Sequence, residues 1–302
     1  MRSAALLYDL RHLTTCSYGA TVTYSRCNLR CLPKDGPGQR VLESRLEITP
    51  EAVESDERRC FFGNRVVRAR IETPHRELRA EARARVEVDR ARPPQTTSSW
   101  EEVRDEAFDA ESLDPASPAH FLYPSRIVPL FEPAIDYARE SFAPGRPVLE
   151  AASELMGRIR RDFQYDTKAT DVRTPVSTAF EKRRGVCQDF THIMIAGLRG
   201  LGLPAAYVSG YIRTIPPEGK PRLEGADATH AWVSLWCGEE AGYVDLDPTN
   251  DLVVGNDHII LAHGRDYSDI SPIHGIVLGA GEQEVDVRVD VVPVVGAPVP
   301  VP

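Results

Sequence analysis

Between Leu78 and Asp89 the chain alternates apolar and charged residues with a period of two, which predicts a strand with one dry and one wet face. The Ala, Glu and Arg content of this stretch favours a helix, but a helix would scatter its apolar positions around every side. Turn clusters such as Pro33-Lys34-Asp35-Gly36-Pro37-Gly38 separate further short strands, so residues 1–92 read as a β-rich sandwich. Pro93 to Ser99 forms a linker, and 93–146 reads as a connecting arm with one or two short helices. Helical spacing returns after Pro147, where Val148, Leu149, Ala152, Leu155, Met156, Ile159 and Phe163 form one stripe. Thr174-Pro175 opens a short helix that stops before Gly185. A further helix starts near Val186, with Phe190, Ile193, Met194, Leu198 and Leu201 inward and Gly197 on the same side, leaving room for a close neighbour. Gly200, Gly202 and Pro204 end it. Strand-like segments follow at 206–212, 230–237 and 243–247. Helices followed by antiparallel strands predict an α+β second domain over 147–290, with a Val/Pro tail at 291–302.

The 302 residues suit about two domains at ~150 residues each. The balance of 36 Lys plus Arg against 45 Asp plus Glu gives a net charge of −9, which argues against nucleic acid or an anionic membrane as partner. Cysteines at 16, 27, 31, 60, 187 and 237 contain no C-x-x-C and no paired zinc spacing; Cys27 and Cys31 read as two buried small hydrophobes. The apolar stretch Ala4–Tyr8 breaks at Asp9, too short for a signal-peptide core, and no window approaches ~18 uninterrupted apolar residues. A cytoplasmic protein with reduced thiols and no cofactor or metal is expected.

Three places carry chemistry. Cys187 stands where a helix begins, facing unpaired N–H groups and the positive end of the dipole, which favour a thiolate. His230 opens the strand-like Ala231-Trp232-Val233-Ser234-Leu235-Trp236. With Gly238-Glu239 as a two-residue turn, Val233 faces Val244, Ala231 faces Leu246 and His230 faces Asp247. Imidazole and carboxylate then share one sheet face within hydrogen-bonding reach, and Pro248 ends the strand. Asp245 lies on the same face and is the rival to Asp247 if the register slips. The arrangement points to a thiol nucleophile, an imidazole that shuttles the proton and a carboxylate that holds the ring. An oxyanion would sit on the Cys187 backbone N–H and on Tyr165 or Gln164.

Other polar residues read as structural. His192 lies about 140° around the helix from Cys187, Asp189 answers the helix dipole, and His258, His263 and His274 lack H-E-x-x-H or a clustered carboxylate. Trp232 and Trp236 share the His230 face, either lining a cleft or packing in the core.

The segments Gly185-Val186-Cys187-Gln188-Asp189-Phe190, Thr229-His230-Ala231-Trp232-Val233 and Asp247-Pro248-Thr249-Asn250 resemble the three blocks of the transglutaminase-like superfamily. The spacing, 43 residues from Cys187 to His230 and 17 from His230 to Asp247, suits it. Leu203–Tyr211 and Gly264–Asp269 resemble its bacterial cysteine-protease branch, and residues 5–90 resemble the bacterial transglutaminase-like N-terminal region. The resemblance implies a papain-like α+β catalytic domain with a Cys187-His230-Asp247 triad acting on a peptide or protein amide. It is compatible with a cysteine protease or amidase, a glutamine transamidase, or a non-catalytic peptide-binding module. The reading favours the protease or amidase, because nothing marks a dedicated amine site. No Asp-x-Asp-x-Asp-Gly calcium loop is present.

Overall fold

The structure, a computed structural model, describes residues 5–214, 228–279 and 281–294. The N-terminal third supplies six strands: β1 (Leu6–Val22), β2 (Tyr24–Leu29), β3 (Gln39–Thr49), β4 (Glu54–Arg59), β5 (Arg65–Ile71) and β6 (His75–Val88). In β6 the period of two appears as alternation, with Leu78, Ala80, Ala82, Ala84, Val86 and Val88 all buried. The helices follow: α1 (Trp100–Phe108), α2 (Glu132–Arg139), α3 (Val148–Asp162), with two-residue strand β7 (Gln164–Tyr165), then α4 (Val176–Lys182), two-residue strand β8 (Arg184–Gly185) and α5 (Cys187–Gly200). The chain continues through β9 (Ala205–Ile212), β10 (Ala228–Trp236), β11 (Tyr243–Asp247), β12 (Leu252–Val253), β13 (His258–Gly264), α6 (Tyr267–Ile270), β14 (Ile273–Leu278) and β15 (Gln283–Pro293). No helix of the described residues is long and apolar enough to cross a membrane.

Two antiparallel sheets, ordered β15-β1-β6-β3 and β14-β2-β5-β4, form the N-terminal sandwich. Cys16, Cys27, Cys31, Leu29 and Leu78 are part of its filling. The boundary expected at 290 therefore falls inside a strand: residues 273–278 and 283–293 return to the sandwich as its two edge strands. The alternation Val285-Asp286-Val287-Arg288-Val289 suits a strand, but its partner β1 lies near the other end of the chain, with Val285 paired to Cys16 and Val289 to His12, beyond any local pattern. From residue 295 on, the expected tail lies outside the described residues.

The connecting arm also does more than connect. Its helix α2 lies against α5, and Gly197 and Gly200 make the close approach possible. A Cβ on Gly197 would fall 2.7 Å from that of Ala138, and one on Gly200 would overlap Ile135. Ala134, Ile135, Tyr137 and Ala138 are accordingly buried. Eight residues beginning Glu132-Pro133 are too few for a helical period to declare itself in sequence.

The second sheet runs β12-β11-β10-β9-β13. Four residues, 254–257, join its two edges, five Cα-to-Cα steps from Val253 to His258. Such a span reaches at most ~17 Å, whereas four flat strand spacings need about 19 Å; the sheet must therefore curl, bringing the starts of β10 and β13 toward the end of β11. Helix α5 covers one face, and the principal core runs on from there to Val86 and Val88 of the sandwich.

The open edge of β13 is closed by two side chains. Gln39 accepts the Ile260 N–H (2.7 Å) and donates to the Ile260 carbonyl (2.8 Å). Asn64 does the same to His263, at 2.9 and 2.6 Å. Each buried amide thus supplies the donor and acceptor that a neighbouring strand would.

Candidate active site

Val186 is the extended N-cap residue of α5 and Cys187 its first helical residue. Asp189 reaches back: its Oδ2 accepts the Val186 N–H at 2.8 Å and the Thr170 hydroxyl at 2.6 Å. That carboxylate occupies the space a side chain on Gly185 would need, which explains the glycine. The cap leaves the half-buried Cys187 in the first turn, where backbone N–H groups have no intrahelical acceptor. Strands β7 and β8 pair in parallel and set Tyr165 beside Gly185. The Tyr165 phenol is pushed up, first by burial and then by the nearby Cys187 sulfur, although half of the side chain remains exposed.

On the curled sheet, His230 Nε2 lies 2.8 Å from Asp247 Oδ2. The Cys187 side chain is near enough to act on the ring as well. Burial alone would lower the His230 pKa, but Asp247 and Cys187 together outweigh it and raise the value to about 10. Asp247 is fully buried. Burial would raise its pKa too, yet His230, His258 and Asn250 hold the carboxyl well below the usual carboxylate range. Its Oδ1 accepts the backbone N–H groups of Thr249 (3.0 Å) and Asn250 (3.2 Å), while the Asn250 amide donates to Oδ2 at 2.7 Å.

The strand register differs from the expected one. Val233 pairs with Leu246 and Trp236 with Tyr243, a slip of two residues. The cause is the turn: the Cys237 N–H bonds to the Gly242 carbonyl and the Gly242 N–H to that of Gly238. Gly238 (φ +100°) and Gly242 (φ +64°) adopt conformations that favour glycine, so the loop is longer than a two-residue type II′ turn. A slip of two keeps every side chain on its face. His230 and Asp247 therefore still meet, as diagonal rather than opposed neighbours. Asp245 receives the Trp232 indole N–H instead (3.2 Å).

Trp232 is fully buried, its ring lying over Gly210, where no side chain could fit. Its ring centroid is 6.1 Å from His230 and 5.2 Å from His258. Trp236 lies in the principal core. His192 is buried, accepts the Tyr267 N–H (3.3 Å) and is held neutral, its pKa lowered by burial to about 3. His274 is exposed on β14.

Two residues near the site carried no functional signal in the sequence. His258 places Nε2 3.2 Å from Asp247 Oδ2, giving the carboxylate a second imidazole. The sequence clusters no carboxylate with it; the curl of the sheet supplies one. Tyr207, buried against His192 at 4.8 Å, has its phenol pushed up, first by burial and then by the nearby Cys187, and makes no side-chain hydrogen bond among the described residues. The ligand atoms of His230, Asp247 and His258 lie within 4.8 Å of one another, close enough to hold a metal ion. Against that, the acid already accepts two backbone N–H groups and an amide, besides the two rings, a donor set suited to holding an anion.

Residues 135–248 match the transglutaminase-like superfamily and residues 8–87 the bacterial transglutaminase-like N-terminal region. The chain belongs to the transglutaminase-like superfamily. It is 37% identical over 298 residues to an uncharacterized protein of Mycobacterium tuberculosis, covering 96% of this chain and 93% of the relative. A second, from Mycobacterium leprae, is 30% identical over 290 residues, covering 93% and 96%. A crystal structure of a candidate cysteine protease from Cytophaga hutchinsonii superposes with a TM-score of 0.76 at 20% identity, covering 99% of this chain and 94% of that one, a likeness of fold.

Proposed function

We propose that the protein is a thiol enzyme that opens peptide or protein amides through a covalent acyl-enzyme. The observation that carries this reading is His230, held at 2.8 Å by a fully buried Asp247 and close enough to Cys187 for that side chain to raise the ring's pKa. In the proposed cycle the Cys187 sulfur attacks the amide carbonyl carbon, and the tetrahedral oxyanion rests on the Cys187 backbone N–H and the Tyr165 hydroxyl. The proton held on His230 passes to the leaving amine, the C–N bond breaks, and a thioester remains on Cys187. Neutral His230 then takes a proton from water as the water attacks the thioester, the C–S bond breaks, the acid product leaves, and the starting pair of sulfur anion and protonated ring is restored. Asp247 stays ionised throughout, fixing the ring and balancing its positive charge. Hydrolysis is placed ahead of transfer because Cys187 is only half-buried and Tyr165 is half exposed, so water reaches the acyl carbon.

The test is intact-mass detection of the Cys187 acyl adduct from a peptide library, quenched with and without an added primary amine. Free acid in both arms supports hydrolysis, and an amide with the added amine supports transamidation. No adduct from any peptide would reduce the site to a binding cleft.

A further inference from the structure

A cavity of about 490 Å³ lies between the N-terminal sandwich and the second sheet, and none of Cys187, His230 and Asp247 lines it. It opens on the sheet face that carries Ser234 and Asp245, the face of Trp232. Its walls are mainly apolar and aromatic, including Phe62, Phe121, Tyr243, Val254 and Ile260. Its volume falls in the range of small-molecule sites.

The charged groups in it are unevenly matched. Asp35 receives the Val41 N–H (2.8 Å), and Asp245 receives the Trp232 indole while its charge also acts on Arg90. Lys34 is engaged as well, by the Phe62 carbonyl (3.2 Å) and Asn64 (3.1 Å). Two other lining residues are not fully used: Arg90 Nε and His263 Nδ1 are buried and lack a hydrogen-bond partner among the described residues. One Arg90 Nη meets the His258 carbonyl (3.3 Å), which anchors the guanidinium while leaving Nε unmet. Buried polar groups are normally satisfied, so an anchored guanidinium with an unmet N–H in an apolar cavity is a place where an anion gains most.

We propose that this cavity is a binding site, separate from the Cys187 centre, for a small amphipathic anion whose apolar body lies against Phe62, Phe121 and Ile260 and whose single anionic head meets Arg90 and His263. A nucleotide is a poor match, since a triphosphate needs more free cations than Arg90 and the exposed rim residue Arg92 provide.

The probes are 8-anilinonaphthalene-1-sulfonate and its uncharged counterpart N-phenyl-1-naphthylamine, titrated by fluorescence into the 302-residue protein. The sulfonate is expected to saturate at one site per chain and to bind at least tenfold more tightly than the neutral dye. Arg90→Met is expected to erase that preference with little change for the neutral dye, and Arg90→Lys to keep part of it. Ala116→Trp, at an exposed lining position, is expected to weaken both dyes, and carbamidomethylation of Cys187 to weaken neither. Equal binding of the two dyes, no 1:1 saturation, sulfonate binding unmoved by Arg90→Met and Ala116→Trp, or loss on Cys187 alkylation would each overturn the proposal.

Discussion

His230 and Asp247 approach to 2.8 Å although the β10–β11 ladder does not set them opposite each other. The contact is diagonal, and it survives a two-residue register slip because strand faces repeat every two residues. The relation between the two side chains thus depends on parity and on the curl of the sheet, not on one particular turn.

Replacing the acid isosterically tests what that contact supplies. Asp247→Asn keeps the shape but removes the negative charge that raises the His230 pKa to about 10. The ring should then titrate much nearer its ordinary value of ~6.5. Amide turnover should fall by roughly 10²–10⁴-fold. Histidine NMR titration and steady-state kinetics measure the two effects.

His258 acts on the ring only through Asp247 and is a positioning residue. Removing its hydrogen bond in His258→Phe should cost on the order of 1.5 kcal/mol, or roughly tenfold in kcat with KM unchanged. His258→Gln, which keeps a donor, should recover most of it. An unchanged kcat and pH profile in His258→Phe would show that the second imidazole has no such role.

The amides that close the β13 edge make a stability prediction. Asn64→Leu or Gln39→Leu removes the two hydrogen bonds to the β13 edge and a third to Lys34, and leaves an edge N–H and carbonyl unpaired. Each should lower unfolding free energy by roughly 2–4 kcal/mol. Urea midpoints with an unchanged slope would report it.

Protons supply an independent stability test. Burial lowers the pKa of His12 to about 4 and that of His192 to about 3. Between pH ~6.5 and these values the unfolded chain takes up protons that the folded chain refuses. Stability should therefore fall on acidification, by up to ~1.4 kcal/mol per pH unit for each residue. His230 has the opposite sign: its raised pKa adds stability that is fully present below ~6.5 and lost as pH rises through about 10. Asp247, held low, loses its contribution only as pH falls through its depressed folded value. His12→Gln and His192→Gln should flatten the acid limb of a urea-midpoint profile. Unaltered slopes would contradict the assignment.

Much of this was readable because it is local. The alternation of β6 and the stripes of α3 and α5 each follow from a period within one segment. The face shared by His230 and Asp247 followed from parity alone. What was not readable depends on distance. β15 pairs with β1 across the length of the chain. α2 is too short to show its stripe and is recognised only by the glycines facing it on α5. His258 reaches Asp247 because the sheet curls, a property of five strands together.

Alkylation of the six cysteines by iodoacetamide at neutral pH, resolved by peptide mass spectrometry, measures directly whether sulfur, imidazole and acid act as one unit. Cys16, Cys27, Cys31 and Cys237 are buried, and the half-buried Cys60 serves as the internal reference. Cys187 should be modified at least tenfold faster than Cys60, and His230→Ala should remove that advantage. Labelling of Cys187 at the rate of Cys60, or labelling indifferent to His230, would contradict the account.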